Sequence, residues 1–240
     1  EKSQCTFCHI NAGANGPFDP EANRNFDIGA EAMIDHPADL LQPGVRPPDG
    51  GFGTTPLTDP VTEFLGFGDF DPEEDGNMRR FNSQPAIEAV DTGPFFHNHA
   101  VQTVEESVDF YNSDAFANSL AGGLAIHLET TEVEHVAAFL RVMNALENIR
   151  SASDLAHAAL EETDPATSRR LAELASFDAQ DGHQVLQERR LHRLAAFRMS
   201  RAYLRLKEAS LTAGKAQRDA LVNRALVMMG LARNEMVLVD

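Results

Sequence analysis

Two cysteines stand in this 240-residue chain, and both fall within its first ten positions, in the run Cys5-Thr6-Phe7-Cys8-His9. Two thiols one helical turn apart can add to the two vinyl groups of a haem, and the next residue, His9, can then reach the iron. The pattern predicts one covalent haem c, anchored by Cys5 and Cys8 with His9 as proximal ligand. A four-cysteine zinc site would need two more thiols than the chain holds. A redox dithiol normally sits in a βαβ setting, and no strand-rich region is present to supply one.

The second axial position is open to several side chains. Met33, Met78, His36, His97, His99 and Tyr111 are the candidates, and composition leans only slightly toward Met78 or His97. A methionine on a helical face usually packs a core, and a single histidine is more often structural than ligating. Tyr111 reads, on pattern alone, as a core tyrosine with a satisfied hydroxyl.

The elements that must position these residues differ along the chain. Residues 11–100 are rich in Gly, Pro, Asn and Asp, as in Arg46-Pro47-Pro48-Asp49-Gly50-Gly51, and cannot sustain long helices or strands. So long a loop-rich stretch implies an organiser other than its own core, and a buried haem would be one. Thr103-Val104-Glu105-Glu106 has capping-box form, with Val104, Val108 and Tyr111 on one face behind it. Thr131-Glu132-Val133-Glu134 repeats the box ahead of the stripe Val133, Val136, Ala137, Leu140 and Met143.

After Arg150 the texture turns to Ala, Leu and Arg. Asp164-Pro165 predicts an N-cap followed by proline at the first helical position. Leu191, Ala195, Met199, Ala202 and Leu206 form a helical stripe, Thr212-Ala213-Gly214 is a break, and Ala216–Met236 is a partner helix. No sequence repeat is visible. The expected architecture is mostly α: residues 1–150 a haem domain, residues 151–240 a helical hairpin.

Charge divides in the same place. The net charge is −17, with 7 Lys/Arg and 25 Asp/Glu in residues 1–150 (−18) and 13 and 12 in residues 151–240 (+1). So acidic a surface disfavours nucleic acid and anionic lipid, and favours a basic redox or substrate protein. No run approaches the ~18 apolar residues of a membrane span. The sequence opens at Glu1 without an initiator Met or a signal segment, so a processed or truncated product is expected.

Three stretches carry a family resemblance: Phe81-Asn82-Ser83-Gln84-Pro85-Ala86-Ile87-Glu88, Thr92-Gly93-Pro94-Phe95-Phe96-His97, and Thr103-Val104-Glu105-Glu106-Ser107-Val108-Asp109-Phe110-Tyr111-Asn112. Together with the upstream C-x-x-C-H, they resemble the C-terminal haem domain of bacterial dihaem cytochrome c peroxidases and MauG-type enzymes. The resemblance covers about residues 1–147 and implies a loop-rich class I c-type cytochrome domain. It implies that the residue ending the helix of the third stretch is the distal ligand, methionine in the peroxidases and tyrosine in the MauG-like branch. The matching residue is Tyr111. A phenolate stabilises ferric iron where a thioether raises the potential, so storage of an oxidising equivalent is implied.

The resemblance also implies a calcium ion held through backbone carbonyls, at Ser83 and Pro85 here. It implies a second, peroxide-reacting haem on another chain or fragment, and an extracytoplasmic, periplasmic setting. The sequence departs from the family where Arg-Asn becomes Glu88-Ala89 and where His-Asp-Gly-Ser becomes His97-Asn98-His99-Ala100. Residues 151–240 have no familiar counterpart, and neither the family's upstream haem domain nor the helix leading into the motif is in this sequence.

Overall fold

The computed structural model describes residues 5, 8, 9, 25–33, 81–83, 85–123 and 126–237. It is mostly helical. The chain forms two compact units, Glu1–Ala137 and Ala138–Asp240. The division falls thirteen residues before the compositional shift at 150, inside a helix. Moved there, the charge asymmetry sharpens to −19 (5 Lys/Arg, 24 Asp/Glu) and +2 (15 and 13).

In the first unit the described residues of the Gly/Pro-rich region form only short elements. Strands β1 (Asn25–Phe26) and β2 (Phe81–Asn82) pair antiparallel, with Phe26 opposite Phe81. Tight three-residue-per-turn segments follow at Ala30–Ala32 and Ala89–Thr92. Helix α1 (Val104–Asp109) opens on the expected capping box: the Thr103 side chain accepts from the Glu106 N–H, and the Glu106 carboxylate accepts from the Thr103 N–H at 3.0 Å. The same carboxylate accepts from the Gln102 N–H, and these bonds hold its pKa below the usual carboxylate value.

Helix α1 is shorter than its face predicts. Residues Phe110–Asn112 tighten into a 3₁₀ turn, which rotates the side chains so that Phe110 enters the core and Tyr111 is left half-buried. A second short helix, α2 (Asp114–Ala117), is capped by the Ser113 hydroxyl, which accepts from the Phe116 N–H. Around these turns Ala30, Phe110, Phe116 and Ile126 form a small core.

Helix α3 (Thr130–Glu161) runs 32 residues, through position 150. Its first turn corrects the expected box at 131–134. The Glu132 carboxylate accepts from the Glu129 N–H at 2.9 Å, and the Val133 N–H donates to the Glu129 carbonyl, so the start lies two residues earlier. An acid at the third helical position needs only a backbone N–H behind it, and Glu129 supplies that as well as a threonine would.

Helices α4 (Pro165–Glu188), α5 (Arg193–Leu211) and α6 (Lys215–Val237) follow. Three helices therefore occupy residues 151–240, beside the end of α3, where a hairpin was expected. The Asp164 carboxylate accepts from the Thr167 N–H at 2.7 Å, ahead of Pro165, as the sequence predicts. The α4–α5 turn carries no glycine or proline. Arg190 and His192 take left-handed φ of 56° and 40°, and the Leu191 N–H closes on the Leu186 carbonyl. Arginine thus stands where glycine usually ends a helix, and no breaker residue marks the turn.

The four helices close into an antiparallel bundle. Lys207 of α5 pairs with Glu173 of α4, and the Lys215 ammonium of α6 donates to the Leu160 carbonyl of α3. The core is built mainly from alanine, including Ala145, Ala152, Ala175, Ala202 and Ala225, filled in by Leu186, Met199, Leu206 and Met229. Small residues let the helix axes approach closely. At Gly182 a Cβ would lie 3.1 Å from Met199 Cε and 3.2 Å from Asn148 Cβ.

The bundle repeats itself fifty residues apart. Glu161 and Pro165 bound one turn, Leu211 and Lys215 the other. Buried Ala145, Ile149, Ala152, Ala159, Ala175 and Leu186 correspond to buried Ala195, Met199, Ala202, Ala209, Ala225 and Met236. Few of the paired residues are identical, and nearly all of those are alanine, so the repeat is invisible as sequence. Ser168 and Arg218 are equivalent positions that touch, as residues near an approximate two-fold axis do. The Arg218 Nε donates to the Ser168 hydroxyl at 3.0 Å, and that hydroxyl donates to the Ala159 carbonyl at 2.7 Å.

Candidate functional site

Cys5 and His9 are bonded as residues one helical turn apart. The His9 N–H donates to the Cys5 carbonyl at 2.9 Å. Residues three apart on such a turn share a face, so Cys5 and Cys8 lie side by side, with His9 one position further round. Cys5 is exposed and Cys8 half-buried, as is His9. Burial, and then the neighbouring Cys5, push the Cys8 thiol up to about 11. Nucleophilic and disulfide-exchanging cysteines are activated in the opposite direction. A thiol held protonated in this way is a poor exchange nucleophile.

Tyr111 senses this turn electrostatically. Its phenol is raised above the ordinary tyrosine value, first by burial and then by Cys8 and Cys5, whose thiolates would oppose a phenolate. The hydroxyl is therefore within electrostatic range of both sulfurs. Thioether formation would remove both opposing charges, and a ferric ion would favour the phenolate.

The ring of Tyr111 is fixed by aromatic neighbours. It meets Phe116 edge-on at 5.0 Å between centroids and Phe110 at 5.5 Å. Phe96 completes the cluster at 4.7 Å from Phe110, from a backbone with φ of 61°. A left-handed conformation costs a non-glycine residue about 1–2 kcal/mol, which here aims the ring inward.

Two asparagines outside the set of candidate ligands hold the segments together. Asn98 donates to the Ala30 carbonyl, 68 residues away, and accepts from the Ala100 N–H. Asn112, next to Tyr111, donates to the Leu128 carbonyl at 3.0 Å and accepts from the Leu128 N–H at 2.8 Å. Such long-range side-chain bonds leave no local pattern to read.

The other proposed ligands separate by position. Met33 is half-buried and packs against the same core as Tyr111. His97 and His99 are exposed, His97 stacked on Phe81 with centroids 3.5 Å apart. Met78 and His36 lie outside the described residues. Ser83 is half-buried and Pro85 exposed, and Gln84 between them is likewise outside the described residues.

Among the described residues no three His, Cys, Asp or Glu side chains converge to hold a bare metal ion. A haem iron needs no such set, because the porphyrin supplies four ligands and the chain only two. The donor chemistry present fits that group: paired thiols on one turn, an imidazole beside them, a phenol in reach and an aromatic lining. No model of a known protein family, no curated protein and no solved structure matches this chain.

Proposed function

We propose that the chain is a class I c-type haem domain with a helical extension, acting as the electron-transfer half of a dihaem, MauG-type oxidoreductase outside the cytoplasm. The observation that carries this reading is the Cys5–His9 turn, with the Tyr111 phenol in electrostatic range of both cysteines. When bound, the haem would supply one-electron redox chemistry. Cys5 and Cys8 would hold it by thioethers, and His9 and Tyr111 would fill its axial positions. The ring cluster of Phe96, Phe110 and Phe116 would keep water from the tyrosine and fix its angle.

An iron with both axial positions filled offers peroxide no site, and these 240 residues hold one attachment motif. The peroxide-reacting haem would then belong to a second haem-bearing chain or fragment, with a basic protein as a further redox partner. Calcium at Ser83 and Pro85 stays part of the proposal as an accessory structural ion. Among the described residues no helix is long and apolar enough to cross a membrane.

Met33 favours a second reading, a monohaem electron carrier or assembly subunit with His9 and a thioether as ligands. Substitution separates the two. Tyr111→Phe should convert a low-spin ferric spectrum to high-spin, and Met33→Leu should leave it unchanged. The reverse pattern would give the site to the carrier. Rapid peroxide turnover by the haem-loaded chain without a partner would contradict the six-coordinate reading itself.

A further inference from the structure

Helix α5 carries two apolar faces. The inner one, Ala195, Met199, Ala202, Leu206 and Ala209, is fully buried in the bundle. The outer one presents Leu194, Phe197, Leu204 and Leu211, each between 47% and 78% exposed. Their spacing of three and then seven is that of the a and d positions of a coiled-coil seam, with Arg201 and Glu208 at the two remaining seam positions. Exposed Leu231 of α6 adjoins this stripe: the Arg198 guanidinium, next to Phe197, donates to the Leu231 carbonyl at 2.8 Å and to Glu235 at 2.9 Å.

The fold does not require this surface. Fifty residues earlier, in the equivalent half of the bundle, Phe197, Leu204, Leu211 and Leu231 are matched by Glu147, Asp154, Glu161 and Asp181, and Leu194 by the buried Asn144. Acidic side chains serve all but the last of those positions in the same architecture. A contiguous exposed apolar stripe that its structural twin lacks is the mark of an interaction surface.

Charge selects the occupant. Residues 193–211 hold Arg193, Arg198, Arg201, Arg205 and Lys207 against a single acid, Glu208. Arg198, Arg205 and Lys207 are engaged by Glu235, Glu208 and Glu173, so the cations that mark the seam are Arg193 and Arg201. A parallel copy would set each arginine beside its own equivalent. That arrangement is repulsive, and an antiparallel copy with Leu194 facing Leu211 would set Thr212 and Leu204 opposite them, whereas acidic flanks on a partner would meet both cations. We propose that the outer face of α5, extended by Leu231 of α6, docks an amphipathic helix of a partner protein, apolar along one seam and lined with Asp or Glu. This docking is independent of the haem chemistry.

The probes are two labelled synthetic helices of about three heptads with leucine at a and d, one flanked by glutamate and the other by lysine. Fluorescence anisotropy with the full chain should show the glutamate helix binding at least about tenfold more tightly, with the difference shrinking as salt is added. Phe197→Glu combined with Leu204→Glu should abolish binding without moving the thermal midpoint, since both side chains face water. If that variant misfolds, Arg193→Glu with Arg201→Glu should erase the preference between the two helices. Equal affinity for both helices, or binding unchanged in the variants, would overturn the proposal. So would sedimentation showing that the chain is itself a dimer dissolved by Phe197→Glu, since a second copy would then cover this face.

Discussion

Residues 138–240 bury a continuous core of alanine, leucine and methionine drawn from four helices, whereas the described part of residues 1–137 gathers a few aromatic side chains around Ala30 and Ile126. The first kind of core accounts for its own stability through apolar area and close helix contact. The second, among the described residues, is a small aromatic cluster, and its turns rest on point contacts such as those of Asn98 and Asn112. The difference shows where the proposed haem would add most to the packing. The helical unit draws its core from residues spread along four helices, while the acidic unit sets Tyr111 among aromatic rings, within electrostatic range of two thiols.

The largest expected effect follows from removing the attachment site of the proposed haem. Cys5→Ser with Cys8→Ser should abolish covalent haem and leave residues 1–137 weakly protected in amide hydrogen exchange. Residues 138–240 should keep their protection and their helical circular dichroism. Simultaneous loss of protection in both units would make them one cooperative fold and break the comparison.

The complementary test sits in the bundle. Arg218 is 1% exposed and donates to the Ser168 hydroxyl and to the carbonyls of Thr212 and Ala213. Arg218→Ala should destabilise the bundle by about 2–4 kcal/mol, through a void and acceptors left without a donor. Arg218→Met keeps much of the volume and escapes the desolvation of a buried cation, so its cost should be well below that of the alanine variant. Neither should alter the haem spectrum. A spectral change would couple the two units.

Smaller effects sharpen the account of the first unit. Thr103→Ala removes one arm of the α1 capping box and should cost about 1 kcal/mol by thermal or denaturant unfolding. Glu106 sets a pH dependence on the same helix. Its pKa is lower folded than unfolded, so its contribution is fully present above the unfolded value of about 4.3 and fades as pH falls through the folded one. Glu106→Gln should remove that acid-side dependence, and an unchanged pH profile in the variant would assign it to another carboxylate.

Much of the bundle was legible in the sequence, because its devices are local. Asp164-Pro165, the stripe from Ala195 to Leu206 and the break at Thr212-Ala213-Gly214 each depend on a few adjacent residues, and each is found where those residues place it. The α4–α5 turn was not legible, because Arg190 and His192 adopt left-handed backbone that no residue type there announces. The fifty-residue repeat was hidden for a different reason: its halves conserve burial and not identity. At the candidate site the Cys5–His9 spacing is a local signal and was readable. The swing of Phe110 into the core depends on a 3₁₀ tightening after α1, and the Asn98 and Asn112 bonds join distant segments. Tertiary packing decides such features.

The central claim is that the Cys5–His9 turn holds a covalent haem. Intact mass spectrometry of the denatured chain, produced in cells able to attach haem c, tests it most directly. The account predicts a mass above that of the polypeptide by one haem, with the pigment retained through acid–acetone extraction and lost in Cys5→Ser with Cys8→Ser. A mass equal to the bare polypeptide, or complete extraction of the pigment, would contradict it.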